Sequence, residues 1–255
     1  MKLGVCTSVR RPEDAEAAAK TGYDYIEVGF ADMVMCDDET IDEFIAKTGE
    51  LGLKCEAANS MLPGTLRVTG EEIDYEALAD FLEEGMARAA KIGIEVVVFG
   101  SAKARNVPKD FPREKAIEQL AFFLREYCGP IAEKYGIKIA IEPLGALETN
   151  IILTVREGEE LARLAGRENV KVLADNFHMA VNDDAVENIS GMVIHAHISN
   201  ADMRCFPEKD DDFDYLPFIN ALKAVGCPRC SIEAGTGDFA EDAENAFECL
   251  KPMFE

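Results

Sequence analysis

The stretch Ile137-Lys138-Ile139-Ala140-Ile141-Glu142-Pro143-Leu144-Gly145-Ala146-Leu147-Glu148-Thr149-Asn150 decides how this chain is read. Its apolar start has the length of a buried strand, and the run ends on a carboxylate, Glu142. Pro143 and Gly145 then break it into a loop bearing a second carboxylate, Glu148. The same arrangement recurs downstream. Val170–Asp175 ends on Asp175, Met192–His197 on His197, and Arg229–Glu233 on Glu233. One such carboxylate alone reads as a helix cap or a loop charge. Four successive runs ending in Glu, Asp, His and Glu read instead as a divalent metal site, because the carboxyl ends of parallel barrel strands share one face.

The rest of the chain alternates in the same way. Strand-like runs at Lys2–Ser8, Tyr23–Phe30, Leu53–Ala57 and Ile94–Phe99 precede the decisive stretch. Helical patterns follow at Pro12–Lys20, Thr40–Leu51, Asp74–Lys91 and Phe111–Tyr135, the last with a bend expected near Gly129-Pro130. Beyond Glu148 the helices are expected at Thr154–Ala165, within Asn176–Asn188, at Asp214–Val225 and at Phe239–Leu250. Eight strand–helix units in 255 residues, with no composition break or linker, predict an α/β fold: a single (β/α)8 TIM barrel forming one domain over residues 1–255. No glycine-rich dinucleotide fingerprint follows the first strand, which argues against an open nucleotide-binding sheet. The longer connections, among them 58–73, 100–110 and 199–213, fall on the face where the four ligand-type residues emerge.

A formal charge of −23 repels polyanions, so neither nucleic acid nor an anionic membrane is an expected partner. Runs such as Glu71, Glu72, Asp74 and Glu76 account for much of that charge as solvated helix surface. Basic residues still occur in the expected top loops, namely Lys103, Arg105 and Arg204, which leaves a small anionic substrate open. No apolar run reaches the length of a membrane span, and the first residues read as a strand rather than a signal peptide; a cytoplasmic location is expected. The eight cysteines are scattered singly, as reduced, packed thiols would be. Cys227-Pro-Arg-Cys230 has the CxxC spacing but precedes a strand and lacks a second pair, so a structural role is expected for it.

Two glutamates, an aspartate and a histidine make an oxygen-rich donor set. It suits Mn²⁺ first, with Mg²⁺, Co²⁺ or Zn²⁺ also fitting. Glu142 and Glu233 would approach a bound substrate from different sides. A proton could then leave carbon on one face and return on the other, or pass to the neighbouring carbon through an enediolate. His178 follows Asp175 by three residues and should turn into the same pocket. His195 and His197 share a strand parity and both point into the barrel, with His197 at the rim and His195 one layer deeper as a hydrogen-bonded supporting group.

With these residues in view the chain resembles the xylose-isomerase-like barrel superfamily, in the branch of sugar phosphate isomerases and epimerases that includes the ketose 3-epimerases. The resemblance spans essentially the whole chain. It rests on Asp24-Tyr25-Ile26-Glu27, Gly100-Ser101 through Arg105 and Pro108, Ile141-Glu142-Pro143 with Glu148-Thr149-Asn150, Asp175-Asn176-Phe177-His178, His195-Ala196-His197-Ile198 and Ser231-Ile232-Glu233. It implies that Glu142, Asp175, His197 and Glu233 hold one divalent ion and that the two glutamates act as acid and base. It further implies that His178, Glu148 and Arg204 bind a small carbohydrate, and that the chain forms a homodimer or homotetramer. Two departures bear on the substrate. The family's arginine follows the histidine by six residues, where this chain has Met203 before Arg204, and Gly145-Ala146-Leu147 replaces the usual Asn-Arg-Phe ahead of Glu-Thr-Asn.

The expected activity is therefore a metal-dependent sugar isomerase or epimerase acting on a small ketose, sugar acid or sugar phosphate. A dehydratase acting on an inosose or sugar acid at the same site remains an alternative. A sugar-binding barrel without turnover would fit better if either glutamate were missing. An apurinic-site endonuclease needs more than three histidines and a basic groove.

Overall fold

The computed structural model describes residues 1–255 as a closed barrel of eight parallel strands in sequential order. The strands are β1 (Lys2–Thr7), β2 (Tyr25–Gly29), β3 (Cys55–Asn59), β4 (Val96–Phe99), β5 (Lys138–Ile141), β6 (Val170–Asp175), β7 (Val193–Ile198) and β8 (Arg229–Ile232). Strand β8 pairs with β1, so no edge is left open. The (β/α)8 expectation is met, and each connection returns through a helix on the outside.

Boundaries shift for local reasons. The second long helix begins at Asp38 rather than Thr40, because Asp37 caps it by accepting from the Thr40 N–H at 2.8 Å. The expected loop before it contains a short helix, Phe30–Val34. The helix expected over Phe111–Tyr135 runs as Arg113–Phe123 and Gly129–Lys134, joined by a π-turn at Leu124–Cys128. The irregularity falls just ahead of Pro130, whose ring nitrogen has no hydrogen to offer the preceding turn. The closing helix continues to Phe254, with Pro252 in its last turn.

The barrel has two interiors. Between the sheet and the helices lies the large apolar core, which includes Leu3, Ile26, Phe44, Leu120, Ile141 and Leu250. Inside the barrel lies a separate small cluster of Val96, Val98, Ala140 and Leu173. Period-two alternation then fixes what stands above that cluster: Ala140 is two residues before Glu142, and Leu173 two before Asp175. At the amino end of the strands the interior is sealed by Arg229, which pairs with Glu56 at 3.2 Å and Glu95 at 2.5 Å. Cys227 and Cys230 sit at this same end and all eight cysteines are unpaired, so the CxxC spacing serves packing rather than the top face.

Gly4 on β1 makes room for the buried ring of Tyr25, which a Cβ at position 4 would meet at 2.3 Å. Overpacking of this kind costs about 1–3 kcal/mol, or roughly 2–4 °C of melting temperature per kcal/mol at this size. Gly4→Ala is therefore expected to melt several degrees below the wild type. A thermal scan in which the two coincide would contradict this packing.

Candidate functional site

The carboxyl ends of β5 to β8 bring the four expected residues together. One donor atom each from Glu142, Asp175, His197 and Glu233 lies within 4.8 Å of all the others. His197 Nδ1 is the centre. It stands 3.2 Å from Glu142 Oε1, 3.2 Å from Glu233 Oε2 and 3.9 Å from Asp175 Oδ2. Glu142, Asp175 and His197 are buried, and Glu233 is mostly so.

Each side chain is aimed by a local device. Asp175 uses one oxygen, Oδ1, to cap the helix Asn176–Val181 through the N–H groups of Phe177 and His178, at 2.8 and 3.2 Å. Its other oxygen is left for the cluster. Glu142 fits because position 100 is glycine: a Cβ there would lie 2.1 Å from Glu142 Oε2. Glu233 Oε1 accepts from the Asn59 side-chain amide at 2.8 Å.

His197 is pinned from below. Its Nε2 contacts Glu27 Oε1 at 3.0 Å, while His195 Nε2 contacts the other Glu27 oxygen at 2.7 Å. Ser231 donates to Glu27 at 2.6 Å and is itself linked to the Tyr25 hydroxyl at 2.7 Å. Glu27 thereby holds the proton on Nε2 and turns Nδ1 towards the carboxylates, the carboxylate–histidine arrangement typical of metal sites. The deeper, hydrogen-bonded place expected for His195 is the one it occupies. Glu27 itself was not singled out as a site residue from the sequence, although a lone carboxylate inside Tyr25-Ile26-Glu27-Val28 is a visible signal. Asn59 was missed because β3 was expected to stop at Ala57.

The remaining expected residues also converge. A cavity of about 240 Å³ is lined by Glu142, Glu148, His178, Arg204 and Glu233, with Lys103 among the others. His178 Nδ1 accepts the Gly145 N–H at 3.0 Å, which places its proton on Nε2 as a donor. Arg204 lies over the Phe177 ring at 4.6 Å and bridges Asp175 at 3.3 Å and Glu233 at 2.5 Å. The backbone of Arg204 is left-handed, at φ +47°. Ser60 and Ser101, also in the cavity wall, are left-handed too, at +53° and +42°. Three of the six non-glycine residues with left-handed backbone thus line one cavity, the kind of clustering that strained residues show at active sites.

The donor set fits a cation on its own chemistry. Three carboxylates crowd one imidazole, and within the chain His197 and Arg204 are the cationic groups in direct contact with them. Burial pushes the Glu142 carboxyl up. Burial also opposes ionisation of Glu27 and Glu233, but the neighbouring imidazoles, with Arg204 beside Glu233, hold both below the usual range. For His197, burial lowers the value, yet the charges of Glu233 and Glu27 more than offset it and raise it well above the usual histidine range.

The chain belongs to the family described as Xylose isomerase-like TIM barrel, which it matches over residues 15–253. Among curated proteins it is 25% identical over 206 residues to a D-psicose 3-epimerase of Agrobacterium fabrum, covering 74% of this chain and 67% of that one. It is likewise 25% identical over 232 residues to an inosose isomerase of Bacillus velezensis, covering 84% and 79%. The expected isomerase-class enzyme agrees with these relatives. Among solved structures, D-psicose 3-epimerase with D-tagatose from Clostridium cellulolyticum H10 superposes with a TM-score of 0.86, 19% identity and full coverage of both chains. The IOLI protein with a binding zinc atom gives 0.76 at 20% identity, covering 100% of this chain and 98% of that one. No helix is long and apolar enough to cross a membrane.

The raised His197 value has a definite sign. Stability from its charge is complete below the unfolded value of about 6.5 and is lost as pH rises through the folded value. Glu142, also raised, works in the same direction. The metal-free protein is therefore expected to melt at progressively lower temperature as pH is raised above about 6.5. Calorimetry in chelator giving a flat profile from about pH 6 to 9 would contradict this.

Proposed function

We propose that this chain is a divalent-metal-dependent sugar isomerase or epimerase in which Glu142 and Glu233 move the proton. The observation that carries the reading is the pair of glutamate oxygens, each 3.2 Å from His197 Nδ1, delivered by β5 and β8. Glu142, Asp175, His197 and Glu233 would hold the ion, and the oxygen-rich set favours Mn²⁺ ahead of Mg²⁺, Co²⁺ or Zn²⁺. When bound, the ion would supply Lewis-acid stabilisation of the negative charge that develops on a substrate oxygen.

The chain's own groups do the rest. One glutamate takes the proton from the carbon beside the carbonyl. The other glutamate can return a proton to the opposite face, giving an epimer; return to the adjacent carbon gives the aldose–ketose isomer. The His178 Nε2–H donates to a substrate oxygen, and Glu148 accepts from a hydroxyl. Arg204, stacked on Phe177, orients oxygens near Asp175 and Glu233. Names of the relatives support a small ketose or inosose as the substrate class. The eight unpaired thiols suit the reducing cytoplasm. Exposed Leu147 and Met203 beside the cavity residues offer apolar surface for the dimer or tetramer that light scattering would detect.

Metal-loaded protein incubated with ketoses in deuterated water is expected to place deuterium at C3 for epimerisation or at C1 for isomerisation. Glu142→Gln and Glu233→Gln should each slow exchange by roughly 10²–10⁴. Asp175→Ala should lose bound metal. Loss of water instead of exchange would indicate a dehydratase, and binding without either would sink the proton-transfer reading.

A further inference from the structure

The two walls of the cavity differ in chemistry. The β5 to β8 side contributes Glu142, Glu148, His178, Arg204 and Glu233, a set that handles hydroxyls, protons and a cation. The loops after β3 and β4 contribute Ser60, Ser101 and Lys103, which bear hydroxyls and an ammonium but no carboxylate.

We propose that the substrate carries an anionic group, a carboxylate or a phosphate, away from the reacting carbon, and that Lys103 receives it. This rests on the sugar-transforming reading of the cavity and narrows its substrate class.

Three observations carry the inference. First, Lys103 is uncommitted. Arg204, the other fixed cation of the cavity, is engaged by Asp175 and Glu233, whereas Lys103 has no carboxylate within ion-pair distance in a chain with 49 acidic residues.

Second, the lysine stem has a built seat. A Cβ at Gly64 would lie 2.8 Å from Lys103 Cβ and 3.0 Å from its Cδ. The stem therefore lies across a position that only glycine leaves open, and Lys103 forms part of the cavity wall.

Third, two hydroxyls line the same cavity. Ser101 Oγ accepts the Leu62 N–H at 2.9 Å, which ties the two loops together and leaves the hydroxyl proton free to donate. The Ser60 hydroxyl makes no hydrogen bond within the chain and can donate as well. Both serines are held at positive φ. Beneath the wall, Arg105 is fully buried with Nε and Nη2 unpartnered, adding fixed positive charge on the same short turn, Ala102–Arg105. An ammonium with two hydroxyl donors matches the oxygens of an anion better than the mixed donors and acceptors of a neutral polyol.

The test uses four-carbon probes that lack a carbonyl and cannot turn over: erythritol, erythronate and erythritol 4-phosphate, titrated calorimetrically into the full chain. The wild type should bind at least one charged probe roughly 10- to 100-fold more tightly than erythritol, the range for a hydrogen bond to a charged group. Lys103→Met should remove that margin and leave erythritol binding unchanged, while Lys109→Met, in the same loop but outside the cavity wall, should behave as wild type. The tighter of the two charged probes identifies carboxylate or phosphate. No preference for charge in the wild type, or a preference that survives Lys103→Met, would overturn the proposal. Because binding is read without turnover, that failure is distinct from failure of the deuterium exchange with ketoses.

Discussion

Three carboxylates facing one imidazole nitrogen is the arrangement on which the rest of this structure depends. Like charges at these separations repel strongly in a buried setting, and the arrangement persists only if positive charge is supplied at the centre. In the protein alone a protonated His197 and the Arg204 guanidinium supply it. Both are held in place by groups outside the cluster: His197 by Glu27 below, Arg204 by the Phe177 ring and a strained backbone. The site is thus prepared for a cation before one arrives.

The barrel suits this demand because it separates two tasks. Stability comes mainly from the apolar layer between sheet and helices, where Leu120, Phe44 and their neighbours are remote from the charges. The barrel interior holds a small cluster of four buried aliphatic residues with Ile194 packed against it, and the space above them is given to polar groups. Strands deliver those groups with fixed direction, while loops after β3, β4, β5 and β7 complete the cavity. The net charge of −23 is spread over helices and loops alike and does not dictate what the cavity accepts.

The strands and the four converging ends were legible because both follow short-range rules. An apolar run of strand length that stops on a ligand-type residue is visible locally, and parallel topology puts all such stops on one face. Glu27 was harder to see as part of the site because its partner His195 is 168 residues away, and no local pattern announces that pairing. Asn59 was hidden by Ala57 and Ala58, which carry weak strand preference, so the run seemed to finish early. Arg204 could be suspected but not placed, since a left-handed backbone at a non-glycine residue has no sequence signature. The helix start at Asp38 depended on which of several acidic residues acted as the cap.

The Glu27 carboxylate has a mechanical consequence as well as an electrostatic one. It stands on β2 and grips both histidines of β7, strands well separated around the ring, and it is joined by Ser231 from β8. This makes a strut across the barrel rather than a contact along it. Flattening the ring would have to break several buried hydrogen bonds together, so the cross-section at this level resists distortion. The floor of the cavity then acts as a stiff socket of constant shape.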